Sequence, residues 1–199
     1  MLMVEKPVYY DIRSDFWKRH YEAAQDYGTW LSSSDPEMAQ RWVDSEKRVP
    51  PLTPEQVERL QGYSREMKVL VYAGVWCGDC SRAGPMHKQI VEACGEKVSL
   101  RFIDREASQE LKDELRLLGA TRVPVLVFLS EDYWEVGRFG ERVVTVYRAK
   151  AARDIGRSYG GGILSPRALV DEQAEWVDIF ERMLIMLRLS PPLRRRHGD

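Results

Sequence analysis

The sequence predicts an α/β chain in which a central mixed sheet is flanked by helices, with a helical N-terminal extension and an insertion before the last helix. Three observations carry this expectation. Two short apolar runs, VLVYAGV from Val69 and VLVFL from Val125, hold no charge and are rich in β-branched residues, as strands buried on both faces require. Around them, apolar residues recur at spacings near 3.6, the period of a helix with one buried face. The 199 residues are 44% hydrophobic with Lys+Arg 30 against Asp+Glu 31, a balance that suits an ordinary globular chain.

Each element follows in order. Ser14 reads as an N-cap, and Phe16, Tyr21, Ala24, Tyr27 and Leu31 continue one face, so a first helix is expected to reach about Leu31. Asp35-Pro36 opens a second helix with Met38, Trp42 and Val43 on its apolar side, and Pro50-Pro51 ends that segment. Thr53-Pro54-Glu55-Gln56 is a capping box that opens a third. Residues 1–66 are therefore the helical extension.

A core domain over 67–190 follows: a strand from about Lys68, a helix over Cys80–Cys94, a strand over Val98–Asp104, and a helix over Ser108–Leu118 with Leu111, Leu115 and Leu118 on one face. The strand at Val125–Leu129 is expected to pair with Tyr133–Phe139 through a turn at Glu131-Asp132. The insertion spans about 141–165 and contains Gly160-Gly161-Gly162, read as a hinge. Ser165-Pro166 opens a long last helix striped by Val170, Ala174, Val177, Phe180, Leu184 and Leu187; Pro191-Pro192 stops it, leaving 191–199 as a polar tail.

A net charge of -1 offers no field for nucleic acid or an anionic membrane surface, so neither is an expected partner. Glu5, Lys6, Asp11 and Arg13 break any leader-like apolar run, and no stretch reaches the ~18 apolar residues of a membrane span. Three cysteines make an odd count that suits a reducing compartment better than a disulfide framework, which points to the cytoplasm.

The chemistry gathers at Trp76-Cys77-Gly78-Asp79-Cys80, where the first strand ends and a helix begins. Unpaired amides and the dipole of a helix N-terminus favour a thiolate at Cys77. Spacing i, i+3 puts Cys80 within reach of a mixed disulfide formed there. Cys77 is then the exposed nucleophile and Cys80 the resolving thiol. His87 lies about 10 Å further along the helix, and one CxxC lacks the second pair of a zinc site, so no metal is expected. Cys94 reads as a small buried apolar residue.

Other features stand in register with this motif: Pro85 five residues after Cys80, a strand ending in Asp104, Val123-Pro124, and Gly140 after the hairpin. Together they make Lys68 to Phe139 plus the final helix resemble the thioredoxin family. The resemblance implies a thiol-disulfide oxidoreductase that reduces protein disulfides, with disulfide-containing proteins as substrates and a separate reductase as electron donor. It implies no bound cofactor other than the redox-active Cys77–Cys80 disulfide. It also implies a cis Pro124 beside the dithiol, a Val123 backbone open to an extended substrate, a helix bent at Pro85, and a Trp76 that either docks substrate or packs.

This sequence departs from the family pattern at two places. Val71 stands where the family's buried carboxylate is usual, with no lysine partner, so proton transfer from Cys80 falls to another base or to water. Asp79 precedes Cys80 in place of proline; either it serves only to stabilise the helix terminus, where acids are favoured, or its carboxylate also destabilises the Cys77 thiolate. At ~6 Å the repulsion is roughly 0.7 kcal/mol in water and about 2.8 at an effective dielectric near 20, against about 0.3 to 1 from a helix end. On that scale, removing Asp79 lowers the Cys77 pKa by roughly 0.5 to 2 units. The alternative function is a non-catalytic thioredoxin-like binding module whose dithiol only senses redox state.

Overall fold

In a computed structural model, which describes residues 10–156 and 162–198, the two charge-free runs occupy the middle of a four-stranded mixed sheet of order β2-β1-β3-β4. Strand β1 (Met67–Ala73) pairs parallel with β2 (Val98–Asp104) and antiparallel with β3 (Val125–Ser130), and β3 pairs antiparallel with β4 (Glu135–Gly140). All of β3 is buried, as is β1 apart from the half-buried Lys68, which explains their unbroken apolar character. Alternation decides the faces of β4. A Cβ on Gly137 would lie 3.0 Å from Met183 of α8 (Pro166–Leu189), while Arg138 reaches the other way to Glu114 of α6 (Gln109–Glu114).

The N-terminal helices guard the free edge of β2. Expected as one helix to about Leu31, the first segment divides into α1 (Ser14–Ala23) and α2 (Tyr27–Ser32). The backbone of Gln25 leaves the helix to exchange two hydrogen bonds with Phe102 of β2, at 2.9 and 2.7 Å, and Asp26 then caps α2. This bridge covers an edge strand, and local periodicity could not announce it. The cap of α1 is Arg13, not Ser14, which is the first helical residue.

Helix α3 (Pro36–Glu46) and α4 (Pro54–Leu60) start as expected, the latter with its full Thr53–Gln56 capping box. Trp42 of α3 is wholly buried amid Tyr27, Trp30 and Phe102, whereas Val43 faces outward. Trp42 presses on α5 (Gly78–Cys94), and its indole N–H donates to the Val75 carbonyl at 2.9 Å. On the same side α5 packs against α8; between them the His87 ring lies edge-on to Trp176 at 4.3 Å with no hydrogen-bond partner. Burial lowers its pKa to about 3, so the imidazole is neutral.

Three further expectations are corrected. Helix α6 stops at Glu114, and Leu118 is not on its buried face: it is 95% exposed at the tip of a turn closed by Leu117 and Ala120, with φ of 52°. The buried stripe of α8 runs through Leu169 and Trp176, with Val170 facing out. Ser190 ends α8 and caps another helix, α9 (Pro191–His197), which buries Leu193 and pairs Arg196 with Asp132 at 2.8 Å. Ser190 as cap with Pro191 at N1 starts a helix as readily as a serine-proline pair follows the end of one, so 191–197 is a short helix and not a polar tail. The insertion holds α7 (Val144–Ile155); Gly160 and Gly161 of the expected hinge lie outside the described residues.

The junction of α3 and α5 depends on Gly84, where an added Cβ would lie 2.2 Å from the Trp42 ring. Gly84→Ala is expected to destabilise the fold by ~1–3 kcal/mol through overpacking. Denaturant unfolding checks this, and an unchanged midpoint would show that Trp42 can move aside.

Candidate active site

The turn from β1 into α5 makes Cys77 the N-cap of that helix. Its N–H donates to Gly74 O at 3.0 Å, its φ and ψ are extended, and its sulfur accepts the backbone N–H of Cys80 at 3.4 Å. Both thiols are free. The Cys77 pKa is lowered to about 7, first by the hydrogen bond from the Cys80 thiol and then by the backbone N–H groups of Cys80 and Asp79; burial and the Asp79 charge work against the shift. Burial pushes the Cys80 pKa well above the ordinary thiol range, and its hydrogen bond to Cys77 adds to the rise. The two sulfurs therefore differ: Cys77 ionises the more readily, while Cys80 holds its proton.

The expected exposure of Cys77 needs correction: it is 9% exposed against 1% for Cys80. Its thiol faces the Val123 carbonyl at 3.7 Å, so the Val123-Pro124 bond, which is cis, lies directly beside the dithiol. With the thiol protonated, that carbonyl is already engaged. Trp76 both packs and presents a surface. Its indole lies over Gly74, where a Cβ would come within 2.6 Å, and Arg105 sits 4.7 Å from the ring centroid, yet 43% of the residue is exposed. An added Cβ at Gly78 would meet nothing within 4 Å, so this glycine keeps the surface beside Cys77 low.

Asp79 lies in an ion-pair chain that the sequence did not announce. Its Oδ1 accepts from Arg82 at 2.8 Å, and its Oδ2 accepts from Arg142 Nε at 2.7 Å and pairs with Arg142 Nη2 at 2.5 Å. Burial works to raise its pKa, and the two guanidiniums outweigh that, holding the carboxyl below its usual range. The Asp79 charge raises the Cys77 pKa, the sign expected for its repulsion of the thiolate, and the two arginines lie against that charge. Arg82 also binds Glu172 of α8 at 2.9 Å; Glu172 is 1% exposed, and burial raises its pKa despite Arg82. The available signal was a charged residue inside the apolar stripe of α8.

Val71 is buried in β1, as its position opposite Phe102 and Leu126 requires, so that strand supplies no carboxylate at the expected place. Cys94 ends α5 partly buried, and burial raises its pKa to about 12. Among the described residues no group of three or more His, Cys, Asp or Glu side chains gathers as a metal would need, and no helix is long and apolar enough to cross a membrane.

Brief alkylation of the reduced protein is expected to label Cys77 first, with a rate that rises through a midpoint near pH 7 as its thiolate forms. Peptide mapping across pH 5 to 9 reads this out. Faster labelling of Cys80 or Cys94, or no titration of Cys77 below about pH 8, would reverse the assignment of roles.

A thioredoxin family model matches residues 25–153, from the β-bridge of Gln25 into α7. The crystal structure of a protein of unknown function from Pseudomonas aeruginosa is similar over 86% of this chain and 96% of its own, at 19% identity and a TM-score of 0.61. That of an HIV epitope scaffold is similar over 87% and 98%, at 20% identity and the same TM-score. At these identities the likeness is one of fold. No curated protein sequence matches the chain. With almost two thirds of its length matched and the sheet order, the cis Pro124 and the cysteine-capped helix in place, the chain belongs to the thioredoxin family.

Proposed function

We propose that this protein is a thiol-disulfide oxidoreductase that reduces disulfides in protein substrates. The observation that carries the reading is the Cys77 sulfur at the N-terminus of α5, acidified to about 7 and within a hydrogen bond of Cys80. The Cys77 thiolate attacks one sulfur of a substrate disulfide; a new S–S bond forms, the old one breaks, and the departing substrate thiolate takes up a proton. Cys80 then loses its proton and attacks the Cys77 sulfur. This closes the Cys77–Cys80 disulfide and releases the second substrate thiolate, which is protonated in turn. Two electrons and two protons have passed to the substrate.

A separate reductase returns two electrons and two protons to the Cys77–Cys80 pair, whose disulfide is the only redox group the cycle needs. The flat surface of Trp76 and Gly78, together with the edge at Val123-Pro124, supports the docking of a polypeptide across Cys77. Val123 O becomes free to accept from a substrate N–H once the Cys77 proton is gone. A cytoplasmic setting fits this direction of flow, because a reducing compartment keeps both thiols available.

Insulin reduction with a chemical reductant is expected to show turnover in the native protein and a loss of at least 100-fold in Cys77→Ser. Cys80→Ser should instead accumulate mixed disulfides on Cys77. Turnover unaffected by Cys77→Ser, or the absence of both turnover and trapped partners, favours a binding module that only senses redox state.

A further inference from the structure

The motif places a negative charge two residues from the nucleophile, which would burden a thiolate unless something nearby cancels it. Six charged side chains form an alternating chain around the dithiol: Glu172, Arg82, Asp79, Arg142, Glu141 and Arg122. The links measure 2.9 Å (Glu172–Arg82), 2.8 Å (Arg82–Asp79), 2.5 Å (Asp79–Arg142) and 2.9 Å (Glu141–Arg122), with Arg142 also paired to Glu141. The ends differ in burial: Glu172 is fully enclosed and Arg122 is 41% exposed. Three cations and three anions balance only while the chain is whole. If Arg142 were removed, Glu172, Arg82 and Asp79 would remain together with two negative charges to one positive, and Asp79 would face Cys77 with Arg82 already shared.

We propose that Arg142 is a positioning residue for the dithiol: it holds and neutralises the Asp79 carboxylate, so the segment following β4 governs how readily Cys77 keeps its thiolate. Arg142 acts through Asp79. The Cys77 sulfur is hydrogen-bonded to Cys80 N and Val123 O, whereas the Arg142 guanidinium bonds to Asp79 and Glu141 and lies 5.8 Å from the Tyr147 ring centroid. Tyr147 in turn donates to Glu141 at 3.0 Å, which ties the same network to α7. Sequence separation hides this link, because Arg142 stands 63 positions after Asp79. The inference rests on the proposed dithiol chemistry and deepens it by giving the residue before Cys80 a partner.

Thiolate absorbance near 240 nm, titrated on the full chain, tests this without any substrate. Arg142→Met is expected to raise the Cys77 pKa by roughly 0.5 to 1.5 units, a 3- to 30-fold fall in the thiolate-to-thiol ratio at fixed pH. Arg142→Lys should recover part of the shift by restoring the charge without the two-pronged grip. In an Asp79→Asn background, Arg142→Met should move the pKa by less than half as much, since the charge it cancels is gone. An unchanged pKa in Arg142→Met, or the same shift in both backgrounds, overturns the proposal.

Circular dichroism establishes that each variant is folded. If Arg142→Met does not fold, Arg142→Lys compared with and without Asp79→Asn reads the same coupling, with a rise expected only when Asp79 is present. A wild-type protein with no thiolate near neutrality contradicts the dithiol chemistry itself. A normal wild-type titration with coincident variants removes Arg142 alone.

Discussion

The backbone N–H of Cys80 pointing at the sulfur of Cys77 is the contact on which the rest of the molecule converges, because it exists only where a helix starts with a cysteine as its cap. To place that start, β1 must end at Ala73 and the next four residues must turn. The turn is held from both sides: Cys77 N–H donates to Gly74 O, and the Trp42 indole donates to Val75 O. Trp42 can take that place because Gly84 leaves room on α5 for its ring. The helices before β1 are thus part of the apparatus that aims the dithiol, in keeping with a family match that begins at residue 25.

Opposite α5, β3 brings Val123-Pro124 against Cys77, and the antiparallel β3–β4 pair carries the chain on to Glu141 and Arg142. This route turns an unfavourable local choice, an aspartate in the first turn beside a thiolate, into a compensated one. Acids are ordinarily welcome at a helix N-terminus, where they complement its dipole. On the proposed chemistry the same site favours a sulfur anion as well, and the arginines from α5 and from the segment after β4 lie where they offset the acid's charge. Buried ion pairs of this kind are costly unless every partner is held, which explains why the chain of charges runs on to Glu172 and Arg122 rather than ending at one pair.

Much of this was legible in the sequence because it is written in short-range chemistry. Both central strands, the dithiol at the mouth of a helix, the Asp35, Thr53 and Ser165 caps and the cis Val123-Pro124 bond follow from runs, spacings and a family pattern that span a few residues each. What escaped depends on contacts between distant segments. Gln25 breaks an otherwise continuous helical periodicity because Phe102 needs an edge partner. Leu118 has helical spacing yet ends in a left-handed turn. Arg142 finds Asp79 only after the sheet has formed. At the C-terminus the reason is local: the serine and prolines after Leu189 mark a helix end and a helix start equally well, and only the burial of Leu193 distinguishes them.

The central claim is that Cys77 and Cys80 form one reversible two-electron unit at this helix terminus, with Cys94 outside it. Equilibration in glutathione buffers of graded composition, followed by acid quenching and mass spectrometry of the thiols, measures this directly. The account predicts a single transition in which two thiols are lost together, a peptide pair linking Cys77 to Cys80, full recovery on reduction, and Cys94 free throughout. A chain that forms no Cys77–Cys80 disulfide at any poise, or that links either residue to Cys94 instead, would contradict it.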